Sequence, residues 1–502
     1  MKADARTIVL VEGGLAPPAA FIARQLHLKT YRAPSDLADE GVRALLVLAQ
    51  DLSRPDSLRQ LVKRLLPLAQ AAQRGIFIVV VALPGQEAAA LGAAKSGTGV
   101  LAQWDKKPGV VLSQLTVLSD WEKIAEACAR CRCGPSANLS LPVLDRNGDE
   151  LEVPLDPEVD LLMRRAFHDF SAIRISSENG GKSRASVWKI ETEGYGLLTP
   201  FIVKCGPAAQ IEEQINTYRD VVADRVPFRG CAPLCLDRCV LGATLQLSVS
   251  RFVEHADRLD AVVTQRDVRP VIEAIYNRVL RRWREEPEVK MLSLLPEFLP
   301  RPRQTAYEPG LFRTYRRLGR VGFRGPSPKA FFNRLGSIPP GLHAVCRAHD
   351  DLNLRNVFVC EGLSDAVLID FTRAARRPLS HDVARLDVGL AFDDQLQDAQ
   401  QIPDNVLEDF YSGDLFAVSI SHMLEGHSAR HRLEAIVTLR TTILREGRAV
   451  PLDVRREYSI AVCAGLLYFA KGKSPSAARA YQCAANLLTQ VTNPSLWSGI
   501  QD

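Results

Sequence analysis

The chain has 502 residues, more than one ordinary hydrophobic core can serve, so two or three domains are expected. With 46% hydrophobic and 24% charged residues, 32 Gly and 30 Pro, it is neither collagenous, low-complexity nor wholly disordered. Sixty-three Lys and Arg against 58 Asp and Glu leave a formal charge of +5, too small an excess to argue for a nucleic-acid partner.

The first residues, MKADARTIVLVEGG, lack the apolar stretch of a signal peptide, and the most apolar run, 76–83 (IFIVVVAL), is far too short to span a membrane. A soluble cytoplasmic protein without a membrane partner is expected. Its 11 cysteines then read as free thiols. Up to residue 125, apolar runs at 7–11, 44–49, 76–83 and 99–103 read as central parallel strands, and 17–26, 57–73 and 86–95 as helices between them. This alternation predicts a doubly wound α/β domain over 1–125. Residues 126–157 carry Gly134-Pro135, Pro142, Asn147-Gly148, Pro154 and Pro157, and read as a linker with a small hairpin at Asn147-Gly148.

From residue 158 the pattern is α+β. A helix over 158–170 precedes strands AIRIS and ASVWKIE. A third strand at 201–205 runs into a helix of about twenty residues from Ala208, whose buried stripe is Ile211, Ile215, Tyr218 and Val222. Strand character returns at 243–253. Beyond residue 257 the chain is mostly helical, interrupted by a loop-like block at 349–371.

That block carries the chemistry. It reads His349-Asp350-Asp351-Leu352-Asn353-Leu354-Arg355-Asn356-Val357-Phe358-Val359, followed by Leu368-Ile369-Asp370-Phe371. An Asp, an Asn five residues on, then strand, turn, strand and a second Asp has a logic in phosphoryl transfer. The first Asp orients a hydroxyl and accepts its proton, while the Asn and later Asp offer hard oxygens to Mg²⁺ on nucleotide phosphates. Ordinary polar turns between buried strands are the competing explanation, and two carboxylates with two amides at this spacing argue against it.

The block resembles the H-G-D-L-x-x-x-N … I-D-F pattern of aminoglycoside phosphotransferase-like and choline-kinase-like enzymes, which share the bilobal protein-kinase-like fold. The resemblance extends over about 158–502, although only the block is specific. It implies Asp351 as the catalytic base, Asn356 and Asp370 as Mg²⁺ ligands, and ATP or another nucleoside triphosphate as phosphoryl donor. His349 matches the family's structural histidine. Asp350 stands where the family has Gly, adding a negative charge next to the base. Asn353 stands where protein kinases carry a phosphate-contacting Lys, and Thr372 replaces the Gly of their D-F-G. Asn353, placed with Asp351 among the catalytic residues, and the lack of an A-P-E element favour a small-molecule acceptor, whereas Asp350 favours a pseudokinase alternative.

The same resemblance assigns Lys204, closing the strand PFIVK, to the phosphates, with Glu212 or Glu213 as its ion-pair partner and Glu213 preferred. Gly180 and Gly181, in the loop 177–183, suit a phosphate-covering turn, and Val253 an adenine-contacting hinge. A P-loop reading of Gly181-Lys182-Ser183 fails, because its first Gly is absent and a strand follows. Asp382, in His381-Asp382-Val383-Ala384-Arg385-Leu386, reads as a brace for the catalytic loop.

Residues 1–125 more weakly resemble a response-regulator receiver. Asp51-Leu52-Ser53-Arg54-Pro55 looks like its phospho-acceptor segment, with Asp51 the acceptor, and Lys107-Pro108 like its Lys-Pro after the fifth strand. Glu12-Gly13 and Ala82 depart from the pattern, which favours a pseudo-receiver used for docking. Cys128, Cys131 and Cys133, and Cys231, Cys235 and Cys239, lack paired knuckles and read as thiols rather than zinc ligands. His422, His427 and His431 read as solvated or core residues. The Arg-rich pieces 281–284 and 313–320 read as solvated helix faces.

The expectation is therefore a multidomain chain: an α/β flavodoxin-like, receiver-like domain (1–125), a linker (126–157), and an α+β bilobal kinase-like domain with an N-lobe (158–255) and a helical C-lobe (256–502). The expected activity is ATP- and Mg²⁺-dependent phosphoryl transfer to a hydroxyl of a small molecule. The alternative is a nucleotide-binding pseudokinase or scaffold that meets a signalling protein partner in a bacterial signalling or conflict system.

Overall fold

Up to residue 134 the computed structural model describes only five strand backbones. It then describes 135–493, apart from 136, 179–184, 195–196, 243, 286, 361, 363–364, 394–395, 397–401, 418–426, 428 and 449–452. The five strands are β1 (Thr7–Val11), β2 (Lys29–Tyr31), β3 (Val42–Leu48), β4 (Ile76–Ala82) and β5 (Val110–Val117). All pair in parallel, in the order β2-β1-β3-β4-β5. Continuous apolar runs such as IFIVVVA suit a parallel sheet, where both faces are covered. The strands expected at 7–11, 44–49 and 76–83 are in place. The run at 99–103, the three intervening helices and Asp51 lie outside the described residues. The strand paired with β4 is Val110–Val117, so Lys107-Pro108 precedes the fifth strand instead of following it.

The chain divides into two compact units, Met1–Asn216 with Pro233–Phe252, and Thr217–Ala232 with Val253–Asp502. In the first, a six-stranded sheet runs β10-β11-β9-β8-β7-β6. Its strands are β6 (Val143–Leu144), β7 (Ala172–Ser177), β8 (Ser186–Gly194), β9 (Leu197–Pro207), β10 (Val240–Leu241) and β11 (Leu245–Arg251). All pairings are antiparallel except β6 with β7. The turn expected at Asn147-Gly148 forms, with Gly148 at φ 94°, and Leu144 bridges Glu150 across it. Helix α1 (Pro157–Ala166) starts where Asp156 caps the Glu158 and Val159 N–H groups and Pro157 takes the first turn. It buries Leu162 and Met163 with Ile173, Ile190, Phe201, Val203, Leu247 and Val249. Helix α2 (Ala208–Thr217) continues as a wide π turn, Tyr218–Val222, and the division between the units falls between Asn216 and Thr217. Its expected stripe holds, with Ile211, Ile215 and Val222 buried.

The second unit holds two small antiparallel sheets. Strand β12 (Ala256–Arg258) pairs with β15 (Val357–Cys360), which pairs with β16 (Ala366–Leu368). Strand β14 (Gly341–Ala348) lies between β13 (Glu288–Leu292) and β17 (Ala375–Pro378). The longer helices are α3 (Arg301–Gly319), α4 (Pro328–Gly336), α5 (His381–Phe392), α6 (Asp404–Ser412), α7 (Ala429–Gly447), α8 (Val454–Ala470) and α9 (Ser476–Val491). Among the described residues, no helix is long and apolar enough to cross a membrane.

At the centre of these helices sits one buried ionic knot. Asp387 on α5 accepts from Tyr411 Oη on α6 at 2.5 Å, Tyr458 Oη on α8 at 2.6 Å and Arg440 Nε on α7 at 2.8 Å. Arg440 also donates to the carbonyls of Phe410 and Leu415, at 3.2 and 2.9 Å. Every strong donor and acceptor has a partner, the condition under which a buried charge pair is tolerated. Burial and the Asp387 charge push both tyrosines well above their ordinary pKa. Arg284 is a second case: burial works against its charge, but Glu446 holds the guanidinium protonated, and it also donates to the Leu379 carbonyl. Arg284 is thus a core residue, whereas Arg281 and Arg282 are exposed as expected.

Replacing Asp387 with Ala strands the Arg440 cation in the core. The expected cost is about 3–5 kcal/mol, read as a lower urea midpoint for the helical unit. An unchanged midpoint would show that the helices do not depend on this knot.

Candidate active site

The catalytic block is a turn between two sheets. Strand β14 delivers His349, Asp350 and Asp351. A single 3₁₀ turn, Leu354–Asn356, then starts the β15–β16 hairpin, which ends at Asp370. Two residues take left-handed backbone without being Gly, Asp350 at φ 55° and Asp370 at φ 60°. Asp tolerates this region better than most residues. At 350 the chain turns into a region that side chains disfavour and that Gly would adopt without strain.

Asp350 also corrects a sequence expectation. Its carboxylate is buried, and Arg377 of β17 donates to it through Nη2 at 2.7 Å and Nε at 3.2 Å. His381 Nε2 lies 2.7 Å from the other oxygen, an ion-pair distance without hydrogen-bond alignment. Burial pushes this carboxyl up, but His381 and Arg377 outweigh it and hold the group well below the usual carboxylate range. The charge beside Asp351 is therefore compensated within the core.

Asp382, in the first turn of α5, accepts from the backbone N–H of His349 at 2.6 Å and of Asp350 at 3.1 Å. This is the bracing geometry read from the sequence. His349 is buried against Phe371, with ring centres 4.7 Å apart, and its Nε2 lies 2.8 Å from the Ile369 carbonyl. A carbonyl only accepts, so Nε2 carries the proton. The loop is thus tied at one end to α5 and at the other to the residue before Asp370.

Asp351 is half-buried, and its carbonyl accepts from Asn353 Nδ2 at 3.0 Å and Asn356 Nδ2 at 2.9 Å. The Asn353 amide oxygen accepts from Arg355 N at 3.0 Å, so both ends of this side chain shape the loop. Asn356 spends its NH₂ on the loop and keeps its amide oxygen for other work. Its carbonyl accepts from Ile369 N at 3.1 Å, bringing Asn356 next to Asp370. Thr372 donates its hydroxyl to Asp370 Oδ1 at 2.6 Å. A carboxylate and an amide oxygen at adjacent chain ends form a hard-oxygen donor set of the kind Mg²⁺ takes.

Arg385 is the residue that sequence reasoning missed. From the same helix as Asp382, it places Nη2 2.5 Å from Asp351 Oδ1 and donates through Nη1 to the Asp350 carbonyl at 3.3 Å. The signal was present, because residues three apart share a helix face, so a brace at 382 puts 385 on the loop side.

The remaining expected residues lie elsewhere in the chain. Lys204 is half-buried on β9, in register with Val187 on β8 and Ser248 on β11. Glu212 and Glu213 are both exposed on α2, so burial does not choose between them. These three belong to the first unit, while Val253, half-buried, opens the second unit's main stretch. Gly180, Gly181 and His422 lie outside the described residues, as do Cys128, Cys131 and Cys133. Cys231, Cys235 and Cys239 are free thiols, and burial pushes Cys231 up to about 11 and Cys235 up as well. Among the described residues, no group of three or more His, Cys, Asp or Glu is placed to hold a metal.

Residues 260–482 match a family described as Ternary complex associated domain 9, a span that includes the whole catalytic block. No curated protein matches the sequence. Similar solved structures include the aminoglycoside phosphotransferase APH(4)-Ia, at 10% identity and TM-score 0.33, covering 64% of this chain and 95% of that one. A Plasmodium vivax ethanolamine kinase, at 10% identity and TM-score 0.31, covers 65% and 84%. Spectinomycin phosphotransferase APH(9)-Ia, solved with ADP and spectinomycin, is 13% identical at TM-score 0.31, covering 63% and 92%. Likenesses of this size leave the chemistry to be read from the chain's own residues.

The Asp350 trio has a pH signature. A depressed carboxyl stabilises the fold above its unfolded value of about 4, and that contribution is lost as pH falls below it. The stability gap between wild type and Asp350→Asn should be full at pH 7 and shrink below about pH 4. A gap that stays constant down to pH 2.5 or so would show that the pairing carries no linkage.

Proposed function

We propose that the chain is a phosphotransferase that moves the γ-phosphoryl group of ATP, or of another nucleoside triphosphate, to the hydroxyl of a small acceptor. The observation that carries this reading is the loop holding Asp351, Asn356 and Asp370 together, fixed by Asp382 and by the Asn356–Ile369 link. Asp351 takes the acceptor proton as the acceptor oxygen bonds to the γ-phosphorus. The bond from that phosphorus to its bridging oxygen breaks, and the nucleoside diphosphate leaves. Asn356 Oδ1 and the Asp370 carboxylate would hold Mg²⁺, which supplies charge neutralisation on the phosphates when bound. Lys204, with Glu212 or Glu213, would steady the nucleotide, Gly180 and Gly181 would cover its phosphates, and Val253 would meet the base. Arg385 aims the Asp351 carboxylate, at the cost of competing with the acceptor proton for it. The names of the similar structures, aminoglycoside and ethanolamine kinases among them, agree with a small-molecule acceptor.

A second reading has its own support in the family description over residues 260–482, which names association in a ternary complex. In it the chain binds nucleotide as a pseudokinase or scaffold within a signalling or conflict assembly, and residues 1–125, with Asp51, serve as a docking module.

With ATP and Mg²⁺, Asp351→Ala should lower phosphoryl transfer or phosphate release by about 10²–10⁴-fold while nucleotide still binds. Equal turnover in both proteins, with nucleotide bound, rejects the enzyme and leaves the scaffold. Failure of the wild type to bind any nucleoside triphosphate rejects both readings.

A further inference from the structure

Beside the catalytic loop the second unit builds a wall of cations on an aromatic frame. Arg385, which contacts Asp351, lies 5.9 Å from the centre of the Tyr468 ring on α8. Tyr468 meets Tyr307 of α3 edge-on, at 6.0 Å between centres. Lys471 Nζ sits over both rings, 4.0 Å from Tyr307 and 3.5 Å from Tyr468, where the ring faces stabilise its charge.

The frame is fixed by backbone fit. Gly310, in the middle of α3, faces the Lys471 carbonyl so closely that an added Cβ would overlap it. Thr314 Oγ1 donates to the Ala470 carbonyl at 2.8 Å, and Arg313 Nη2 to the Lys471 carbonyl at 3.0 Å. Two further cations border the wall. Arg303 lies one helical turn before Tyr307, and Arg373 three residues after Asp370. After burial, the electrostatic influences on the Tyr307 hydroxyl come from Arg303, Arg385 and Arg373, with Tyr468 acting against them. Neither Arg303 nor Arg373 forms an ion pair with another described residue. Asp351, the carboxylate that Arg385 contacts, is already assigned to the reaction.

We propose that this wall is the acceptor subsite, and that the acceptor is an anionic hydroxyl compound whose phosphate or carboxylate group is held by Arg303 and Arg373. The proposal rests on the phosphotransferase reading and narrows its substrate class. Arginine suits this task because its planar fork bonds two oxygens of one anion at once. An amine-bearing acceptor would meet like charge on the whole face.

The test is binding to the full chain, measured calorimetrically without nucleotide. Matched three-carbon probes, glycerol 3-phosphate, glycerate and neutral glycerol, are compared with 2-aminoethanol. The anions should bind at least about tenfold more tightly than the neutral and amine probes, and the advantage should fall with salt. The phosphate and carboxylate arms identify which anion is preferred. Arg303→Gln with Arg373→Gln should remove the advantage, and the paired Lys variants should restore part of it, with melting temperatures checked for every variant. Equal binding of all four probes, a preference for the amine, or an anion preference surviving the double Gln variant would overturn the proposal. ATP turnover against Asp351→Ala is read separately. A failed turnover assay with intact anion selectivity therefore rejects the phosphotransferase reading alone, and the converse rejects the acceptor class alone.

Discussion

One helix organises the candidate site. Helix α5 carries Asp382 and Arg385 on its loop side and Asp387 on the other. The loop backbone has no regular partner of its own at His349 and Asp350, so their N–H groups need an acceptor inside the core, and Asp382 supplies it. Asp387 fixes the helix against α6, α7 and α8 through three hydrogen-bonded partners. A carboxylate at one end and a satisfied charge in the middle make the loop's position a property of helix packing. That is how a turn in unfavourable backbone can be held in a single geometry.

The helix is anchored at its entrance as well. Glu457 on α8 accepts from the Ser380 N–H at 3.0 Å and hydroxyl at 2.7 Å, and its second oxygen lies 2.9 Å from His343 Nδ1 on β14. Strand β14, which leads into the loop, and helix α5, which braces it, are thus clamped by one side chain. Arg284 adds a link to the Leu379 carbonyl, just before that entrance. These polar groups are buried, so their value lies in fixing position; unpaired, each would destabilise the core.

Much of this was legible in the sequence, and the gaps have physical causes. The strands over 172–205 were readable because their apolar residues alternate toward one core, and the α2 stripe because it follows helical period. The block stood out because two carboxylates and two amides are concentrated between apolar strands. Asp382 was found by resemblance, but the partners of Asp350 were not. Arg377 and His381 lie 27 and 31 residues away in sequence, and only the return of β17 beside β14 brings them near. The tyrosines around Asp387 were invisible for the same reason: a buried hydroxyl looks apolar until its partner is known. VVLSQLTV, which pairs with β4, was passed over because polar residues interrupt its apolar run, while the run at 99–103 lies outside the described residues.

The left-handed turn at Asp350 has a consequence for how this sequence can change. Glycine would relieve the backbone, yet it would leave Arg377 and His381 facing an empty acidic position inside the core. Changing either Arg377 or His381 alone would leave the carboxylate short of a partner. Positions 350, 377 and 381 therefore behave as one inheritable unit, and a route to glycine at 350 crosses a barrier unless Arg377 and His381 are exchanged in the same step.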